Sequence, residues 1–333
     1  MSSSARSTSQ RLNWKSRKPP TNSLTSPPDF LAVPALKKQA LIGLLLAIWA
    51  VSASAREVVV ASFNVHNYLA IEAGIPSANP LVTPKPESEI AAVIEIIREI
   101  KPDILGLVEM GDASMLADLQ GRLKGVGLDF PHSEWVKGAD SARHIALLSR
   151  YPVVARQSRD DVPIDLNGVK TRISRGILDV TVRLAPDYDL RLVGVHLKSR
   201  RQVPEFDESA MRAREAWHVR QHLDAILEAS PDTNLMLFGD LNDTKNEYPI
   251  RELVGVAKSP TYMRDLALAD RSGLRWTHFW SAADEYSRID FLLVSNGLWP
   301  EIDMSKSGVN DSKVWAQASD HRAIFAALKI PKK

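Results

Sequence analysis

Four short runs of apolar and β-branched side chains each end on a polar one, and this pattern constrains the fold more than any other feature. Val58–Phe63 runs into Asn64, Ile104–Val108 into Glu109, Leu190–Val195 into His196, and Leu235–Phe238 into Gly239-Asp240-Leu241-Asn242. Such runs predict strands. Two later runs reverse the order: Asp290 opens Phe291–Val294, and Asp320-His321 stand just before Ala323–Leu328. In a mixed sheet an antiparallel strand starts where its parallel neighbours end, so all six positions are expected at one rim. Helical patterns lie between. Ser88 is expected to cap a helix with Ile90, Val93, Ile94 and Ile97 on one face, and a second helix is expected over about 209–228, with Ala216, Val219, Leu223, Ile226 and Leu227 inward. No Gly-, Ser- or Pro-rich linker divides residues 56–333, which predicts one α/β domain.

The front of the chain reads differently. Residues 1–36 are rich in Ser, Thr, Pro, Arg and Lys and are expected to be disordered, or an extension upstream of the true start. Lys37-Lys38, the apolar run Ala40–Val51 and Ala53-Ser-Ala55 then follow in the order of a secretory signal, predicting a signal peptide over 37–55 with cleavage after Ala55. Left uncleaved, the run would act as an anchor. Residues 1–55 carry seven basic side chains and one acid, so the remainder is net acidic although the whole chain is +2. A protein that coats nucleic acid through global positive charge is disfavoured. The absence of cysteine excludes a disulfide scaffold, thiolate zinc sites and a cysteine nucleophile.

Seven fragments, in order, resemble the endonuclease/exonuclease/phosphatase superfamily, the deoxyribonuclease-I-like fold. They are Ser62–Tyr68, Pro102–Glu109, Ile145–Arg150, Val195–Ser199, Phe238–Asp243, Arg288–Val294 and Ser319–His321. The resemblance implies a four-layer sandwich of two mixed β-sheets flanked by helices, with a metal-dependent phosphoester hydrolase site at one end. Asn64 and Glu109 supply hard oxygen donors suited to Mg²⁺ or Mn²⁺. By resemblance Glu109 is the principal metal ligand, Asn64 assists it, and Asp320 is a further acid near the metal or the leaving group. The family pattern also has Asp240 orient or deprotonate the attacking water and Asn242 contact the phosphate. It pairs Asp290 with His321, whose other ring nitrogen faces the phosphate. His196 takes the place of a general acid or phosphate donor.

Lys198, Arg200 and Arg175 are expected to hold flanking phosphates, and Trp280 to form part of the substrate wall. Arg212, Arg214 and Arg220 read as a solvated helix face. His66 is expected to pack behind the site, His144 to lie near the cleft, and His278 to line the wall before the Arg288-Ile-Asp strand. The expected activity is an exported metal-dependent phosphodiesterase, a secreted or periplasmic nuclease with DNA or RNA as substrate, no stable protein partner and no permanent anchor once the signal is removed. The alternatives are a phosphatase or phospholipase of the same fold, cleaving inositol phosphate or sphingomyelin, and a non-catalytic binding protein. No H-E-x-x-H, G-x-S-x-G or G-x-x-x-x-G-K motif offers another hydrolase chemistry.

Overall fold

The computed structural model describes residues 56–70, 83–166, 168–201 and 207–331. The expected leader and signal segments lie outside these residues. In chain order the strands are β1 (Arg56–Tyr68), β2 (Ile104–Met110), β3 (His132–Val136), β4 (His144–Ser149), β5 (Val153–Arg156), β6 (Pro163–Leu166), β7 (Val169–Arg172) and β8 (Leu178–Ala185). They continue as β9 (Tyr188–His196), β10 (Leu235–Asp240), β11 (Arg264–Asp265), β12 (His278–Trp280), β13 (Glu285–Ser287), β14 (Asp290–Val294), β15 (Ile302–Val309) and β16 (Ile324–Ile330). The described helices are α1 (Glu87–Ile100), α2 (Ala113–Gly125), α3 (Glu208–Ala229), α4 (Tyr248–Val254) and α5 (Trp315–Ala318).

Two six-stranded sheets form, in the orders β15-β16-β1-β2-β4-β3 and β11-β14-β10-β9-β8-β5. In the first sheet β1 runs parallel to β2 and antiparallel to β16; in the second β10 runs parallel to β9 and antiparallel to β14. Strand alternation decides what each face carries. Val58 and Val60 of β1, Leu190 and Leu192 of β9, Met236 and Phe238 of β10, and Leu292 and Val294 of β14 share the core between the sheets. The intervening residues turn outward. Ala61 and Phe63 pack on α1 and α2, while Val193, Leu235 and Leu237 pack on α3. The result is the expected four-layer sandwich of two mixed sheets with helices outside.

Phe238 is the close-packing point between the sheets. A Cβ on Gly106 of β2 would lie 2.2 Å from its ring, and one on Gly194 of β9 2.5 Å from it. A larger residue at Gly106 would force the layers apart, and one at Gly194 would push the ring aside from its own sheet.

Helix α1 begins at Glu87, behind Pro86 in extended conformation and with no side-chain cap, so Ser88 lies inside the first turn and is not the expected N-cap. Pro86 presets the entry angle, and Glu87 and Glu89 favour the positive end of the helix. Helix α2 was not anticipated from periodicity; Asp112 caps it by accepting from the Ser114 and Met115 N–H groups. The reading of the α3 arginines as a solvated face is corrected at two positions. Arg212 and Arg220 are buried, Arg212 donating to Asp243 at 2.9 Å and Arg220 to the carbonyls of Leu253 and Thr261, whereas Arg214 is exposed. Each buried guanidinium closes onto a loop that would otherwise have orphan acceptors. Among the described residues no helix is long and apolar enough to cross a membrane.

Away from the rim, Asp179 of β8 is fully buried and takes Arg191 Nε at 2.8 Å, Arg191 Nη2 at 2.6 Å and His222 Nε2 at 2.8 Å. Burial pushes its carboxyl up, but the bonds to His222 and Arg191 outweigh it and hold the group below the ordinary carboxylate range. A carboxyl lowered by folding stabilises the fold above its unfolded value of about 4, and that contribution is lost as pH falls through the folded value. Asp179→Asn is therefore expected to cost about 3 kcal/mol near neutral pH, with the deficit shrinking below about pH 4. Urea denaturation of both proteins from pH 3 to 7 measures this; a deficit that stays constant with pH contradicts it.

Candidate active site

The alternation that fills the core also builds the rim. Following Val58 and Val60, Ser62 and Asn64 stay on the inner face of β1; His196 follows Leu192 and Gly194; Asp240 follows Met236 and Phe238; Asp290 precedes Leu292. Register aligns the second sheet's contribution, because Asp240 pairs laterally with His196 on one side and Asp290 on the other. Three polar side chains thus form one row across three neighbouring strands. Asn64 meets that row from the opposite sheet, donating from Nδ2 to Asp240 Oδ2 at 3.1 Å.

Glu109 breaks the alternation. By parity it would point toward the helices with Leu105 and Leu107, but its backbone is left-handed at φ +63 and the β2–β4 register shifts there. The irregularity re-aims the carboxylate toward the rim, a recurrent use of bulges. Its Oε2 accepts the Asn67 N–H at 3.0 Å and lies 3.7 Å from Arg143 Nε; its Oε1 is 4.0 Å from His196 Nε2.

His321 sits behind Ser319, whose hydroxyl donates to the Asn64 carbonyl at 2.8 Å and accepts the His321 N–H at 3.0 Å. Its Nδ1 binds Asp290 Oδ2 at 2.8 Å; its Nε2 is 3.4 Å from Asn64 Nδ2 and 3.7 Å from Asp240 Oδ2. Burial opposes charge on His321, but Asp290 and Asp240 outweigh it and raise the imidazole well above its ordinary value. Asp240 is also raised: burial lifts it above the ordinary carboxylate range, His321 pulls against the rise and Asp290 adds to it. His196 moves the other way. Burial, and then the positive charge of Arg175 and His321, push it well below the ordinary imidazole range, and its Nδ1 has no hydrogen-bond partner among the described residues.

Asn242 has a left-handed backbone at φ +51; its N–H binds Asp240 Oδ1 at 2.8 Å and its side-chain amide donates to the Leu197 carbonyl at 2.9 Å. One of its amide protons is thus already used. Asp320 is half-buried at the mouth. Lys198 pairs with Glu208 at 3.4 Å, Arg200 is exposed, and Trp280 is 54% exposed on the β12–β13 hairpin. Arg175 is buried rather than presented to solvent, with Nη2 3.2 Å from Asp140 and with Nε and Nη1 unpartnered among the described residues. His66 is exposed instead of packed, because its backbone is left-handed and turns the ring out over Asp320. His144 is buried against Trp135, with Nδ1 on the Lys137 carbonyl. Arg143 and Thr277 were missed. Thr277 Oγ1 accepts from the Ile289 and Asp290 N–H groups at 3.1 Å, and only its place beside His278 pointed to it.

The donor set fits a hard divalent cation. Glu109 and Asn64 offer oxygen, and Asn67, whose N–H already binds Glu109, has a buried side-chain oxygen with no partner among the described residues.

Stacked mixed sheets with this rim define an α/β-sandwich hydrolase. The chain belongs to the Endonuclease/Exonuclease/phosphatase family, whose profile matches residues 61–321. No curated protein matches the chain. Among solved structures it is similar to truncated TDP2 of Caenorhabditis elegans, at 18% identity and TM-score 0.55 over 82% of this chain and 97% of that one. It is similar to the human Nocturnin catalytic domain, at 17% identity and TM-score 0.56 over 81% and 93%. Sphingomyelinase C from Streptomyces griseocarneus is similar at 15% identity and TM-score 0.51 over 82% and 99%. These likenesses establish the shared fold.

The turn into Asp240 depends on Gly239, at φ +144, where an added Cβ would lie 1.8 Å from the Val195 carbonyl oxygen. Gly239→Ala is expected to cost about 3 kcal/mol or more. Gly121→Ala, in α2 with nothing within 4 Å, is expected to gain up to about 1 kcal/mol. Chemical denaturation of the two variants checks the contrast.

Proposed function

We propose that this chain is an exported, Mg²⁺-dependent phosphodiesterase that hydrolyses nucleic acid. The observation that carries the reading is the buried row of His196, Asp240 and Asp290 meeting Asn64 and His321 beside the oxygen donors of Glu109. A bound Mg²⁺ would offset phosphate charge and polarise the phosphoryl oxygen. Glu109 and Asn64 would hold it, with Asn67 and Asp320 close by.

The chain's own groups have separable tasks. Asp240, with its raised carboxyl and its tie to the Asn242 N–H, is placed to orient and accept a proton from the attacking water. Asp290 holds His321 Nδ1, so Nε2 presents a positively charged N–H toward the phosphate, where charge grows as the bond to the leaving oxygen lengthens. His196, kept neutral, serves as a hydrogen-bond donor rather than a charged acid. Arg200 and Lys198 lie past the end of β9, where a flanking phosphate would run. The secretory order of residues 37–55 supports export.

A second reading, a phospholipase on this fold, is favoured by one feature. Trp280 and Tyr286 of the β12–β13 hairpin are 54% and 53% exposed beside the site, a surface as suited to acyl chains as to bases.

The test is hydrolysis of plasmid DNA, single-stranded RNA, an inositol phosphate and sphingomyelin in parallel, with Mg²⁺ or with EDTA. Metal-dependent cleavage of nucleic acid alone is expected; cleavage of sphingomyelin alone replaces the substrate and keeps the site. Glu109→Gln should need more Mg²⁺ and recover partly in excess. His321→Ala should lose about 10²–10⁴-fold in kcat with its Mg²⁺ requirement unchanged. Equal, metal-insensitive losses in both would reject these roles.

A further inference from the structure

The mouth of the site contains a second donor set of different chemistry. Two backbone segments pair there: His278 and His321 form an antiparallel bridge, flanked by Phe279 N–H to the Asp320 carbonyl at 2.9 Å and Arg322 N–H to the Thr277 carbonyl at 2.6 Å. Directly opposed residues put their side chains on one side. The two imidazoles accordingly lie with ring centroids 4.6 Å apart. His278 Nε2 is 3.9 Å from Asp320 Oδ2, His321 Nε2 is 4.0 Å from Asp320 Oδ1, and one ligand atom from each of the three lies within 4.8 Å of the others.

Both rings are oriented as metal-binding histidines are. A ligating imidazole engages its other nitrogen with a supporting group, which fixes the tautomer and the ring plane. His321 Nδ1 engages Asp290 at 2.8 Å and His278 Nδ1 engages the Ser287 hydroxyl at 3.3 Å, leaving both Nε2 atoms facing Asp320. A fourth donor stands on the same carboxylate: His66 Nε2 is 3.8 Å from Asp320 Oδ2, on a ring 46% exposed and so able to swing inward. Bonds of about 2.0–2.1 Å in a tetrahedron place ligands about 3.3 Å apart, so an ion would draw Asp320 and its imidazole neighbours together by about half an ångström.

We propose that His278, His321 and Asp320, with His66 as the fourth donor, form a transition-metal site selective for Zn²⁺-like ions over Mg²⁺. Imidazole nitrogen suits zinc, whereas Mg²⁺ prefers oxygen throughout, and Glu109 with Asn64 already offers that. The ion displaces the proton from His321 Nε2 to solvent and takes the nitrogen that otherwise faces the phosphate, so zinc bound here blocks turnover. The site stands on ligand geometry; the inhibition rests on the phosphodiesterase reading above.

Equilibrium dialysis of the full chain with Zn²⁺, under saturating Mg²⁺, tests the site without any substrate. One zinc per chain is expected, with affinity reduced about 100-fold or more in His278→Ala and about tenfold in Ser287→Ala, which leaves every ligand in place. Glu109→Gln should bind zinc as the native chain does. Co²⁺ should give the strong visible absorption of a tetrahedral ion, weakened in His278→Ala. Thermal melting confirms that each variant is folded. No bound zinc, or zinc lost in Glu109→Gln but retained in folded His278→Ala and Ser287→Ala, overturns the site. With an identified substrate, micromolar-range Zn²⁺ should suppress Mg²⁺-supported turnover in the native chain; zinc bound as described without suppression overturns the inhibition alone, and an absence of turnover on every substrate leaves the dialysis result to decide the site.

Discussion

The face-to-face packing of the two sheets around Phe238 is the constraint on which the rest depends. Because Gly106 and Gly194 leave room for that ring, β2 and the second sheet approach closely below the rim. Each strand then alternates between core and helix layers, and the inner-facing rim positions of β1, β9 and β10 are buried. Asn64, His196 and Asp240 are held there by the same parity that buries Val60, Leu192 and Phe238. The candidate active groups are extensions of the core's own order, held by the strands that pack it.

Burial at that rim sets the electrostatics. Asp240, Asp290, His196 and His321 are all almost removed from solvent, and uncompensated charge there would cost several kcal/mol per group. The arrangement answers this by placing one imidazole between two carboxylates and leaving burial to govern the other. His321 lies between Asp290 and Asp240 and is driven toward its charged form, while burial, and then the positive charge of Arg175 and His321, drives His196 toward neutrality. Two histidines less than a strand's width from the same Asp240 are thereby driven toward opposite charge states.

Much of this was legible before any coordinates. Polar residues at the ends of apolar runs specify which strands reach the rim, and the reversal at Asp290 and Asp320-His321 specifies which run antiparallel; both follow from strand direction alone. What escaped were departures from regular periodicity. Glu109 reaches the rim through a left-handed residue that inverts the side its parity assigns, and His66 turns outward for the same kind of reason. Arg212 and Arg220 resemble solvated charges in sequence because their partners, Asp243 and the Leu253 and Thr261 carbonyls, lie 31 to 41 residues away. Helix α2 has a mixed surface, and only the Asp112 cap marks its start.

The pairing of β1 with β16 joins Arg56 to Ile330 and brings Asn64 within reach of His321, 257 positions later. A sheet whose central strand waits for the final one has high contact order, and its closure is intrinsically slow. During vector synthesis β1 would emerge early and stand with one unpaired edge until nearly the whole chain had followed. A chain synthesised as far as β14 holds Asp290 but not the His321 it positions, so the two come together only once the segment leading into β16 has docked.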